Sequence, residues 1–168
     1  MNDVALVFES PTANRRFVIC AGAFVVASAA VAVVQATAPF ARGWWLVAYL
    51  ILVGGLSQLL LGSGLIALAR RSAARKPGAM ATRAELLLWN TGTVTVAVAD
   101  LGEAPAGVLA GSVALYAALV LFAIGLRRVT ITARRPSTRW LRGYALLLIV
   151  LGGSVLIGTG LAGALPGQ

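Results

Sequence analysis

Five long apolar runs, separated by short clusters of arginine, proline and glycine, organise this chain. They cover about 17–38, 44–69, 84–101, 107–126 and 143–165, each near or above the roughly 18 residues expected of a membrane-crossing helix. The runs are continuous, whereas the strands of a transmembrane β-barrel alternate apolar and polar residues. The pattern therefore predicts an all-α polytopic membrane protein with five transmembrane helices in one bundle. Residues 1–16 read as a cytoplasmic N-terminal segment. Residues 17–168 read as a single five-helix transmembrane domain, with basic cytoplasmic loops at 70–83 and 127–142. None of the connections is long enough to fold as a separate domain.

The third run departs from the others. Its sequence "LLLWNTGTVTVAVADLGEAP" spans Leu86–Pro105. At about 100° per residue, Asn90, Thr93, Ala97 and Asp100 share one stripe, and Thr91 and Thr95 fall roughly opposite. Three readings suit such polarity. The side chains return hydrogen bonds to the carbonyl one turn back, they meet a neighbouring helix in a packing seam, or they line a permeation path. Two separated polar lines do not describe one wide aqueous wall. Leu86–Ala99 spans about 21 Å of helix against a hydrocarbon core of about 30 Å, which puts Asp100 near the outer edge. Glu103 follows one turn later. Asp100 and Glu103 are the only acids on that side, and Arg42 is its only base. These three residues form a candidate outer-face polar site. Glu85 reads as a residue at the start of the third helix, where a negative charge suits the helix dipole.

Small residues recur at helical spacing in two other runs. Gly54, Gln58 and Gly62 are four apart, as are Ser154 and Gly158. Faces of this kind let membrane helices approach closely, and a buried amide hydrogen-bonds across them. Gly54, Gln58, Gly62, Asn90, Thr93 and Gly158 are thus the candidate helix-packing or partner interface. The pattern leaves open whether these faces meet within the chain or against another.

Charge orients the bundle. Only 11% of the residues are charged, against about 25% in a soluble domain, yet the net charge is +9. Arg15 and Arg16 precede the first run. Arg70, Arg71, Arg75, Lys76 and Arg83 lie in the second connection. Arg127, Arg128, Arg134, Arg135, Arg139 and Arg142 lie in the fourth. Only Arg42 falls on the other side, so the positive-inside rule places the N-terminus in the cytoplasm and the C-terminus outside. Phe40, Trp44 and Trp45 read as outer interfacial anchors, and Trp140 and Tyr144 as inner ones. Short basic clusters between apolar runs point to the anionic lipids of an inner leaflet rather than to nucleic acid. The strong preference for arginine over lysine and the abundant alanine suggest a GC-rich bacterial genome, and hence the bacterial cytoplasmic (inner) membrane.

Candidate chemistry is sparse. The chain has no histidine and one cysteine, Cys20, so no internal disulfide is possible. A haem, zinc or copper site built on those ligands is not expected, nor is another cofactor. The single lysine, Lys76, precedes a proline and belongs to no phosphate-binding loop. Ser57, Ser63 and Ser154 have no histidine base. These features predict a non-catalytic integral membrane protein, an accessory subunit or assembly factor of a larger bacterial membrane complex that contacts other membrane subunits. The alternative is a small oligomeric transporter or channel for a small solute.

Overall fold

A computed structural model describes residues 10–74, 78–134 and 138–164. Residues 1–9 of the N-terminal segment and the cations Arg75, Lys76 and Arg135 lie outside the described residues. So do the surroundings of Gly158, which itself belongs to the last helix.

The described chain is helical and contains no strand. Its helices are α1 (Ser10–Thr37), α2 (Gly43–Tyr49), α3 (Gln58–Arg71), α4 (Ala79–Leu101), α5 (Pro105–Thr132) and α6 (Thr138–Ala164). A π-helical segment, Leu50–Ser57, joins α2 to α3 without a break, so the chain forms five rods. Four of these, all except α4, are long and apolar enough to cross a membrane. At 23 residues, or about 34 Å, α4 has the length. Its composition is what separates it, because Arg83, Glu85, Asn90, the threonines and Asp100 dilute its apolarity.

Several helices outrun the apolar windows that mark them. α5 continues through Arg127–Thr132, where the Thr130 and Thr132 hydroxyls donate to the carbonyls of Leu126 and Arg128 at 2.9 and 2.8 Å. α4 begins at Ala79 rather than at 84. The basic loops expected at 70–83 and 127–142 are therefore largely helix ends. Hydropathy reports where lipid stops, whereas a helix stops where its backbone hydrogen bonds find other partners.

The rods pack antiparallel to their neighbours in sequence. Along α1, Phe17 lies against Gly62, Phe24 against Gly54 and Gln35 against Gly43, and the Ser28 hydroxyl donates to the Val47 carbonyl at 2.8 Å. A side chain at Gly54 or Gly62 would enter a phenylalanine ring. The glycine face of the second rod is thus filled by α1. α4 and α5 approach closely at Gly92 and Gly111, where a Cβ on either would stand 2.8–2.9 Å from the other's carbonyl oxygen.

Phe17, Trp89 and Phe122, each 1% exposed or less, join α1, α4 and α5 at the centre. The Phe122 ring lies 6.2 Å from that of Phe17 and 6.4 Å, edge-on, from that of Trp89, within the range of favourable aromatic pairs. α6 adds Tyr144, whose hydroxyl donates to the Leu61 carbonyl, and receives a hydrogen bond from Tyr116 at its Gly152 carbonyl, both at 2.8 Å. Tyr144 is therefore buried between helices rather than anchored at the headgroups, because its hydroxyl finds a backbone acceptor inside.

The α4–α5 contact makes a specific prediction. Gly111→Leu should destabilise the bundle by about 1–3 kcal/mol through overpacking. Gly153→Ala, where an added Cβ would meet no neighbouring helix or side chain within 4 Å, should stay within about 0.5 kcal/mol of the parent. Unfolding in mild detergent followed by tryptophan fluorescence compares the two, and equal effects would contradict the close approach.

Candidate functional site

Several of the buried polar groups lie on the inner face of α4. Glu85, Trp89, Thr93, Val96 and Ala97 are buried on that face, spaced three to four residues apart as one helical stripe requires. Leu87, Thr91, Val94 and Val98 are exposed on the other side. Inward polarity and outward apolarity let a helix of this composition sit beside lipid.

Thr93 is fully buried, and its hydroxyl donates to the Trp89 carbonyl at 2.8 Å. Asn90 is half-buried and donates from Nδ2 to the Leu86 carbonyl at 2.6 Å. Both bonds close on the preceding turn of α4 itself, so neither side chain is joined to a neighbouring helix by them. Trp89 does cross, with its Nε1 donating to the Val53 carbonyl at 3.0 Å. Val53 lies in the π-helical segment, where Ser57 likewise donates five residues back to Leu52 at 2.7 Å.

Gln58 begins α3 at the end of that segment. It is fully buried, and neither amide atom has a hydrogen-bond partner in the structure. The Tyr49 hydroxyl, on the ring stacked against Trp45, is buried too. Gln58, Asn90 and Thr93 are not hydrogen-bonded to one another. Gly54 and Gly62 touch α1, as described above.

At the opposite end from most arginines, Arg42 meets Asp100. Its Nη1 lies 3.1 Å from Asp100 Oδ1 and donates to the Asp100 backbone carbonyl at 2.7 Å. Arg42 adopts a left-handed backbone (φ 66°) to start α2, an uncommon conformation outside glycine, asparagine and aspartate. Glu103 also has positive φ (51°) but is exposed in the α4–α5 turn and makes no ion pair with Arg42. The geometry thus brings two of the three outer-face residues together.

Glu85 occupies a place that sequence reasoning missed. Because α4 begins at Ala79, Glu85 lies well inside the helix rather than at its first turn, and it is 2% exposed. The available signal was its register: Glu85, Trp89 and Thr93 continue the same four-residue stripe one turn back.

An apolar groove of about 390 Å³ lies between α1 and the second rod, lined by residues such as Val18, Gly22, Val25, Ile51 and Leu59. Among the described residues, no three of histidine, cysteine, aspartate and glutamate cluster as a metal site. Comparison with protein-family models, curated proteins and solved structures gives no match to this chain.

The Arg42–Asp100 pair is half-exposed, so Arg42→Ala or Asp100→Asn should each cost up to about 1 kcal/mol. If the two residues act on each other, the double variant should cost little more than the larger single one. Unfolding midpoints of the four proteins test this, and additive losses would mean that the two do not interact.

Proposed function

We propose that this chain is a multi-pass protein of the bacterial cytoplasmic membrane that acts as a non-catalytic accessory subunit or assembly factor of a larger membrane complex. In this reading all five rods cross the bilayer, the N-terminus is cytoplasmic and the C-terminus is outside. The arginine-rich end faces the anionic lipids of the inner leaflet. α4, the least apolar rod, crosses in company, with its polar stripe turned toward its neighbours.

One observation carries the reading. The polar and glycine-rich positions that would build a transport path are largely taken up inside the bundle, while α6 stays open. Asn90 and Thr93 bond to their own helix, and Gly54 and Gly62 are filled by Phe24 and Phe17. On α6, Leu146, Ile149, Val150, Leu156 and Ile157 are exposed, and Gly143, Gly152 and Gly153 have open space where a side chain would be. Membrane helices associate through close packing of such small-residue surfaces. A second reading, a small oligomeric transporter or channel, draws on the unpartnered amide of Gln58.

Extraction from native membranes in a gentle detergent, followed by identification of co-eluting chains, separates the two. The accessory reading predicts partner chains in fixed stoichiometry. Recovery only as a free monomer or homo-oligomer would overturn it, and a homo-oligomer whose solute flux in vesicles is lost in Gln58→Leu would establish the second reading.

A further inference from the structure

Glu85 is the one buried carboxyl among the described residues. It lies about 9 Å along α4 from Ala79, at 1.5 Å per residue, toward the arginine-rich end. It is 2% exposed and packed inside the bundle. On α5 it faces Gly125, where an added Cβ would lie 3.7 Å from Glu85 Oε1. From α3, Leu65 reaches the same glycine. From α6 comes Tyr144, buried against α3 at Gly64 with its own proton committed to the Leu61 carbonyl.

Among the described residues, the charged group that acts on Glu85 is Arg128, one turn beyond Gly125 on α5. Arg128 is exposed and makes no ion pair with Glu85 within 4 Å. Thr82, on the preceding turn of α4, gives its hydroxyl to the Gly78 carbonyl. Among the described residues, Glu85 therefore has neither a hydrogen bond nor an ion pair.

An ionised carboxylate so buried loses most of its hydration and gains no hydrogen bond in exchange, with only the exposed Arg128 to offset its charge. A single proton removes the charge and requires no further ligand. A metal cation would need several oxygen donors, and among the described residues no second carboxylate clusters with Glu85 to supply them. We propose that Glu85 is a proton-binding site, an intramembrane carboxyl that takes up and releases one proton at the arginine-rich end of the bundle. On release the proton passes from the carboxyl oxygen to water at that end. The carboxylate left behind is countered by Arg128, which is exposed at that end. The site is independent of the accessory role, and either reading can fail without the other.

A hydrophobic carbodiimide adds to protonated carboxyls in apolar surroundings, so dicyclohexylcarbodiimide applied to the full-length protein in native membranes probes Glu85 directly. Peptide mapping by mass spectrometry should find the adduct at Glu85, with incorporation about tenfold lower at alkaline than at acid pH. Glu85→Gln should abolish the adduct. Arg128→Gln, which removes the counter-charge, should extend labelling to more alkaline pH. Absence of an adduct at Glu85, or equal incorporation across the pH range, would overturn the proposal. An unchanged profile in Arg128→Gln would overturn the release route.

Discussion

Charge is costly in lipid, and this constraint governs the rest of the structure. Insertion measurements put an arginine at the centre of a membrane helix about 2.5–3.5 kcal/mol uphill. The chain carries fourteen basic residues, so each helix must begin or end where they cluster. The rods satisfy this by alternating direction. The Arg134 backbone amide donates to the Ser72 carbonyl at 3.1 Å, and the Arg71 guanidinium lies 4.1 Å above the Trp140 ring. Both basic connections thus meet at one end of the bundle. Arg42 stands at the other end with Asp100. Two rods separate each basic cluster from the next, an even number that returns the clusters to one end.

Within that arrangement, α4 poses the main packing problem. A helix carrying a carboxyl near each end of one stripe and threonine between them is a poor neighbour for lipid. Its solution is steric. Gly92 and Gly111 let α4 and α5 approach to backbone contact, and Gly54 and Gly62 admit the phenylalanine rings of α1 into the second rod. Trp89 then ties α4 to the second rod through the Val53 carbonyl. Small residues that would weaken a soluble helix serve here as recesses for neighbouring helices.

The apolar runs made the helices legible, and the four-residue spacing of Gly54, Gln58 and Gly62 marked a close-packed face. Those features depend on periodicity, which a linear pattern records. The filling of that face by Phe17 and Phe24 was not legible, because a pattern cannot say which helix turns toward it. The π-helical turn at Leu50–Ser57 escaped for a related reason. An added residue in a helical turn changes which groups face a neighbour without changing the hydropathy of the run. Glu85 was misplaced because the apolar window began at 84, whereas the helix begins at Ala79. Tyr144 was assigned to the headgroups by residue type, and a single carbonyl, that of Leu61, keeps it inside. Arg42, Asp100 and Glu103 were legible as neighbours at one end. Which acid Arg42 would choose depended on turn geometry, and Glu103 follows the helix end in a left-handed turn.

Accessibility of the two ends in living cells tests the threading most directly. With Cys20 replaced by alanine, single cysteines at the exposed positions Ala79, Glu103 and Thr138 can be treated with a membrane-impermeant maleimide. If the arginine-rich end faces the cytoplasm, the label reaches Glu103→Cys in intact cells and reaches Ala79→Cys and Thr138→Cys only after permeabilisation. Labelling of Ala79→Cys or Thr138→Cys from outside would contradict the account.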